Sequence, residues 1–425
     1  MRPEVAGANP AASPAAESGF FLATYLLTGS GDLRKAAEFI AREESAGAWV
    51  GAGQQTELHR RALAEVADFR QLGDRRALAT IAFPLLNLTI DRYVLANIWL
   101  FMTGGPLFER AFVDRVRLVD VTLPDEVLRV LPGPRYGVDG TRRLLRADPG
   151  RPLLGTIVKP CAGLTAQEVA QRVIEAARAG VDLIKDDEKM NNPAYCPLED
   201  RIRLVAEGLG RLHEETGRRV IYCPHVSSRP DRALQLARRA RDAGATGLML
   251  NPIASGFAAL QMIAESDVDL PIYAHTGGRT AWSRLEGYGI DPAVVAKWVR
   301  LSGGDYMDVY ARGGYLLNGT QDQARAVVAA LRDPMGPVAR ALPAYSGGLN
   351  TANLGENLDF FGLDALPMAG SAILDHPMGI EAGVRAFWQA VEAWRLGAGV
   401  AEYARQHREL AAALEVAFSQ GSYRA

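Results

Sequence analysis

The chain has 425 residues, a formal charge of −2, 48% apolar and 23% charged residues, a composition that excludes a fibre, a disordered tail and a disulfide scaffold. Near-neutral charge without a Lys/Arg-rich run argues against nucleic acid or a membrane as partner, because clustered positive charge drives such binding. Three cysteines, Cys161, Cys196 and Cys223, are odd in number and lack zinc-like spacing, which points to a reducing compartment and hence the cytoplasm.

Residues 1–18 are rich in Ala, Pro and Gly and carry no apolar h-region; they read as a flexible leader rather than a signal peptide. From residue 19 to about 140, β-like runs at Phe20–Leu27, Leu78–Leu86 and Val116–Thr122 mix with helical stretches at Asp32–Glu44 and Tyr93–Met102. That order predicts a small α+β domain of the ferredoxin-like kind. The apolar stretch Tyr93–Met102 is too short to span a bilayer and reads as a buried helix. Turn residues from Pro132-Gly133-Pro134 to Asp148-Pro149-Gly150 mark a boundary.

Beyond it, from residue 141 to 425, short apolar runs alternate with amphipathic segments. The runs are Leu153–Val158, Val181–Ile184, Val220–Tyr222, Gly247–Leu250, Leu270–Ala274, Tyr306–Tyr310, Ala339–Ala344 and Ala365–Ala369. Helical stretches between them include Thr165–Ala179, Asp200–Thr216, Asp231–Ala243 and Gln321–Leu331. Eight strands in strict βα alternation predict an α/β architecture, a (β/α)8 TIM barrel, followed by C-terminal helices from Ile380 to Phe418. A doubly wound open sheet is disfavoured because no G-x-G-x-x-G opens the first βα turn.

In such a barrel, chemistry collects at the C-terminal strand ends. Only five of the 47 basic residues are lysine (Lys35, Lys159, Lys185, Lys189, Lys297). A lysine amine can lose its proton and act as base or nucleophile, which a guanidinium cannot. Lys159 ends the first strand and Lys185 the second, where Lys185-Asp186-Asp187-Glu188-Lys189 is either a solvated turn or a source of hard oxygen ligands for Mg²⁺.

The strings Gly155-Thr-Ile-Val-Lys159-Pro, Gly180-Val-Asp-Leu-Ile-Lys185-Asp-Asp187-Glu188, Leu301-Ser-Gly-Gly-Asp305, Ser346-Gly347-Gly348 and His376-Pro377, with Glu43-Glu-Ser-Ala-Gly47-Ala-Trp49 near the start, occur in order. Together they resemble the large subunit of ribulose-1,5-bisphosphate carboxylase/oxygenase (RuBisCO) over nearly the whole chain. The resemblance implies a CO₂-derived carbamate on Lys185, Mg²⁺ held by that carbamate with Asp187 and Glu188, and Lys159 as acid/base; desolvation near a cation would draw the Lys159 pKa toward neutrality, and the Lys185 carbamate is the rival base. His275 would contact substrate, and Glu43 would reach the partner's active site in a homodimer.

The departures from the pattern matter as much. The loop after the sixth strand reads Val309-Tyr-Ala-Arg312-Gly-Gly-Tyr315, and no lysine follows Lys297. Cys161 replaces a second strand-one lysine. Asp308 and Thr276 stand where phosphate-contacting His and Arg are expected, leaving Arg279 as the nearest guanidinium after His275. An expected asparagine falls at Gly105, with Asn97 a poorer match. The chain is therefore similar to RuBisCO-like (form IV) proteins. An Mg²⁺-dependent enolising enzyme acting on a small monophosphorylated keto-sugar is expected: an isomerase or enolase, alternatively a decarboxylase or transcarboxylase/hydrolase of a branched keto-sugar-acid phosphate of apionate-type catabolism, or else a non-catalytic relative that only binds a phosphorylated metabolite. Ser346-Gly347-Gly348 and Gly370-Ser371 are candidate phosphate binders or ordinary turns. His275 reads as a substrate contact or a core histidine, His225 as a rim residue of open role, and His376 as a cap or a catalytic group. His59, His213 and His407 read as surface residues.

Overall fold

The computed structural model describes residues 19–47, 55–109, 113–314 and 320–419. The leader, Ala48-Trp49 of the first motif, and Tyr315 lie outside the described residues. Among the described residues no helix is long and apolar enough to cross a membrane.

In chain order the strands are β1 (Phe20–Thr28), β2 (Glu65–Gly73), β3 (Arg76–Pro84), β4 (Arg115–Thr122), β5 (Gly155–Ile157), β6 (Leu183–Lys185), β7 (Ile221–Cys223), β8 (Leu248–Leu250), β9 (Ile272–Ala274), β10 (Gly289–Ile290), β11 (Tyr306–Tyr310), β12 (Leu342–Ser346) and β13 (Leu366–Ala369). The chain divides into two compact units. The first comprises residues 1–132, 278–302 and 319–338. Its sheet runs β10-β4-β1-β3-β2, with β1 antiparallel to both β3 and β4, the split order of a ferredoxin-like layer. Helix Leu33–Glu43 buries Leu33, Ala36, Ala37, Ile40 and Ala41 at helical spacing. Two strands had no counterpart in the sequence reading. β2 is largely exposed and offers no apolar run, and the two-residue β10 pairs in parallel with β4 from far along the chain.

The second unit comprises residues 133–277, 303–318 and 339–425. All eight expected strands are present in it, in the order β7-β6-β5-β13-β12-β11-β9-β8, every neighbouring pair parallel. The run closes through a bridge between His225 and Met249, where the Met249 N–H donates to the Pro224 carbonyl at 2.8 Å. The result is a nearly closed eight-stranded barrel. Its interior is filled by Leu183, Ile221, Cys223, Met249, Tyr273, Tyr306, Leu342, Leu366 and Met368, bulky inward residues that make a packed core and not a pore. Helices such as Ala166–Ala179, opened by a Thr165/Glu168 capping box, return the chain to the next strand. The seventh strand begins at Leu342 rather than Ala339, because Arg340 sits outside on Asp139 and Asp364.

At the N-terminal end of the barrel, Asp305 accepts from the backbone N–H groups of Tyr136, Gly137 and Ile272 at 2.7–2.8 Å. Asp305 of the Leu301-Ser-Gly-Gly-Asp305 motif is thus a pin in the barrel floor. Burial pushes its carboxyl up to about 6 against the pull of those three donors.

Candidate active site

The alternation of β6 puts Lys185 on the same side as the core residue Leu183, inside the barrel. Lys185 is 1% exposed. Its Nζ lies 5.4 Å from the Tyr273 ring centroid and donates to the Asp186 carbonyl at 3.2 Å. Burial pushes the amine below the ordinary lysine range, against the opposing charges of Glu188, Asp187 and Asp308. The neutral amine is the form that adds CO₂.

Asp186, the middle residue of the acidic run, takes no part in the mouth. Its Oδ2 accepts from the fully buried Arg201 at 3.0 and 2.8 Å and from the His225 N–H at 3.1 Å, and its Oδ1 accepts from the Tyr222 hydroxyl at 2.7 Å. Arg201 also donates to the carbonyls of Cys196, Met190 and Asn191. This buried pair ties down the loop that follows β6 and so aims Asp187 and Glu188. No sequence pattern announced Arg201.

Asp187 is buried, and its Oδ2 accepts from Lys159 Nζ at 2.6 Å while its Oδ1 accepts from the Lys189 N–H at 2.9 Å. Burial opposes ionisation, but the Lys159 ammonium and the Lys189 N–H hold the carboxyl down at about 2. Lys159 follows β5, joined to Pro160 by a cis peptide, and also donates to Cys161 Sγ at 3.1 Å. Its amine departs from the sequence expectation. Burial lowers the pKa, but the hydrogen bonds to Asp187 and Cys161 outweigh it and hold the ammonium above the ordinary lysine range. Glu188 Oε2 lies 3.5 Å from His275 Nε2, and His275 Nδ1 accepts from the Gly277 N–H at 3.3 Å.

Thr276 and Asp308 form a single pair. The buried Asp308 carboxylate accepts from the Thr276 backbone N–H and, at 3.0 Å, from the Thr276 hydroxyl. Two apparent departures from the family pattern therefore compensate each other.

Ser346 ends β12, and Gly347 (φ 85°) and Gly348 (φ 98°) turn the chain in a region that suits glycine. A Cβ at Gly314 would meet the Gly347 carbonyl at 2.1 Å, so the loop after β11 packs directly on this turn. Arg312 on that loop is engaged by Glu356 at 2.9 Å and stacks 4.8 Å from the Phe360 ring centroid. Gly370 precedes Ser371 after β13; a Cβ there would lie 3.6 Å from Lys159 Cε. The structure thus brings Lys159, Lys185, Asp187, Glu188, His275 and the turn at Gly370 to one barrel mouth.

Other expected residues fall elsewhere. Glu43 ends helix Leu33–Glu43 of the first unit, paired with Arg42, and Arg279 is buried in that unit. Asn97 is exposed on helix Val94–Thr103, and Gly105 opens helix Gly105–Glu109. His376 bonds the Glu409 carbonyl at 3.0 Å and accepts from the Met378 N–H, a packing role. His213 is exposed, and His59 and His407 are partly so.

Residues 137–417 match the family described as ribulose bisphosphate carboxylase large chain, catalytic domain, and residues 15–127 its N-terminal domain. The chain belongs to the RuBisCO large-chain family. Its relatives are enzymes of more than one kind. The 2,3-diketo-5-methylthiopentyl-1-phosphate enolase of Geobacillus kaustophilus is 33% identical over 410 residues, covering 93% of this chain and 97% of the relative. The 3-oxo-isoapionate-4-phosphate decarboxylase of Rhizobium rhizogenes is 33% identical over 423 residues (94% and 98%), and the ribulose bisphosphate carboxylase of Methanocaldococcus jannaschii 31% over 409 (90% and 94%). Among solved structures, the octameric Rubisco of Pyrococcus horikoshii superposes with TM-score 0.87 at 27% identity, covering 96% of this chain and 95% of that one. The dimeric archaeal Rubisco of Hyperthermus butylicus gives 0.85 at 29% (93% and 95%). The chain is a RuBisCO-like protein with the RuBisCO fold.

Among the described residues no three His, Cys, Asp or Glu side chains form a metal set. Asp187 and Glu188 offer two hard oxygen donors of the kind Mg²⁺ takes, with room for others from water, substrate or a further residue. Lys185 fits as a source of a further donor, since its buried amine is lowered toward the neutral form and feels the charge of both carboxylates.

Proposed function

We propose that the protein is a cytoplasmic Mg²⁺-dependent enolising enzyme acting on a keto-sugar with a single phosphate, and not a CO₂-fixing carboxylase. The observation that carries this reading is the buried Lys185 amine beside Asp187 and Glu188. Carbamylated Lys185, Asp187 and Glu188 would hold the ion, which when bound supplies a Lewis acid for the substrate carbonyl. Lys159 is the proposed base for the α-proton. Its ammonium now neutralises Asp187, and another counter-charge on that carboxylate would release the amine toward its neutral, basic form. His275, whose Nδ1 accepts from the Gly277 N–H and whose Nε2 faces Glu188, is proposed to contact substrate. The turns at Ser346, Gly347 and Gly348 and at Gly370 and Ser371 are proposed to hold the phosphate through backbone N–H groups. Glu43 is proposed to complete the site of a partner subunit in a homodimer, consistent with the dimeric and octameric neighbours.

Two features support the exclusion of carboxylation. No lysine follows Lys297, and Arg312 is engaged by Glu356 and Phe360. A second phosphate beside the Asp308 carboxylate would meet repulsion. A decarboxylase reading stands beside the enolase reading because relatives of both kinds are equally similar.

The test is a screen of phosphorylated keto-sugars for Mg²⁺-dependent exchange of an α-proton with solvent deuterium, run beside ribulose-1,5-bisphosphate with labelled CO₂. Exchange on a monophosphate without label in 3-phosphoglycerate is expected. Clear label incorporation would overturn the reading.

A further inference from the structure

Beyond the residues assigned above, the barrel mouth holds a histidine whose ring is left with an unanswered group. Ile221 and Cys223 point into the barrel core, and period-two alternation places His225 in the next layer up on the same side. Its backbone is locked there by the bridge to Met249 and by the Asp186 carboxylate at 3.1 Å. The residue is 4% exposed, and among the described residues Nδ1 has no hydrogen-bond partner.

The neighbours decide which nitrogen carries the proton. Nε2 faces Ser227 Oγ. That oxygen accepts from the Asn251 N–H at 2.7 Å, and among the described residues its own hydroxyl proton has no acceptor but Nε2. Nε2 is then the lone-pair nitrogen and Nδ1 carries the hydrogen. A buried N–H with no partner is rare and costs stability, so it calls for a ligand to answer it. Burial holds the ring at about 4, against the attraction of Asp186, so the donor is neutral across the working pH range.

The place of that donor in the ring of strands bears on substrate. In the closed ring of eight strands, β7 stands four places from β12 by either route. His225 therefore lies across the barrel from the Ser346–Gly348 turn. We propose that His225 is a substrate-binding residue whose Nδ1–H donates to an oxygen at the unphosphorylated end of the substrate. A thioether sulfur is a weak acceptor, whereas a carboxylate or hydroxyl is a good one. The site thus suits a polyhydroxylated keto-sugar acid phosphate over a methylthio-sugar phosphate. This rests on the reading of the mouth as the substrate site.

Two measurements test it separately. In histidine-¹⁵N-labelled, substrate-free protein at neutral pH, His225 should show hydrogen on Nδ1 and a bare Nε2; hydrogen on Nε2 overturns the assignment whatever the enzyme turns over. In kinetics, His225→Asn puts an amide N–H near the place of Nδ1, while His225→Gln keeps a polar group near Nε2 and lacks that donor. With 3-oxo-isoapionate-4-phosphate, His225→Gln should raise KM roughly 10- to 100-fold at unchanged Tm, and His225→Asn should recover most of the loss. With 2,3-diketo-5-methylthiopentyl-1-phosphate the two variants should be alike. Equal KM for both variants on the acid, or a loss that follows Tm, contradicts the proposal. Wild-type turnover of neither compound would count against the functional reading and leave the tautomer measurement to decide His225.

Discussion

At the N-terminal end of the barrel strands the buried carboxylates Asp182 and Asp305 are fully partnered, whereas at the C-terminal end Lys185 and the neutral His225 ring are left only partly answered. Asp182, before β6, takes two hydrogen bonds from Arg151 at 2.7 and 2.8 Å and one from the Leu154 N–H at 3.0 Å, and Asp305 takes three from backbone. Three residues past Asp182, Lys185 is as deeply buried but among the described residues donates to one carbonyl, at 3.2 Å, and His225 keeps a ring Nδ1 without a partner there. Full satisfaction marks a group whose work is stability. Partial satisfaction in an equally packed environment marks a group kept for a ligand.

The comparison breaks first at Lys185. Lys185→Arg retains positive charge but cannot form a carbamate, so Mg²⁺-dependent turnover should fall by about 10³-fold or more while the melting temperature stays near that of wild type. Wild-type-like activity in that variant would remove the metal assignment.

Arg201 should behave in the opposite way. Arg201→Leu leaves the Asp186 carboxylate buried without its partner, which should cost about 3–5 kcal/mol of stability. Chemical denaturation checks this, and a loss under 1 kcal/mol would show that the pair is not the clamp described.

The next effect is a pH dependence. The His225 pKa falls from the ordinary histidine range to about 4 on folding. Its contribution is therefore complete above the unfolded pKa and is lost as pH falls through the folded one, about 3 kcal/mol in all. Asp305, raised to about 6, acts with the opposite sign, its contribution fading as pH rises through that value. The His225 slope is isolated by comparing wild type with His225→Asn between pH 7 and pH 4, where the variant should lose less stability on acidification.

The smallest effect belongs to the floor. Asp305→Asn sets an amide N–H₂ against one of three backbone donors, and should cost roughly 1–3 kcal/mol with kcat unchanged. A large fall in kcat at unchanged stability would place Asp305 in the chemistry.

Much of this organisation was legible before the fold was seen. Eight apolar runs foretold eight strands, because parallel barrel strands are buried on both faces. Lys159 and Lys185 stood out because lysine is so scarce in the chain. What stayed hidden depends on contacts between distant positions. The Arg201–Asp186 clamp joins a helix to a strand end, the Thr276–Asp308 pair turns two apparent defects into one solution, and the pKa of Lys159 depends on its partner Asp187 more than on its burial. The His225 tautomer follows from Ser227 and Asn251, which no spacing rule connects. β2 escaped because an exposed strand carries no apolar signature.

The central claim is that Lys185 supplies the third metal donor only after reacting with CO₂. Calorimetric titration of Mg²⁺ into the protein, with CO₂ removed and again with bicarbonate added, tests it most directly. Binding should tighten at least tenfold with bicarbonate in wild type and show no such response in Lys185→Arg. Equal Mg²⁺ affinity with and without CO₂ in wild type would contradict the account.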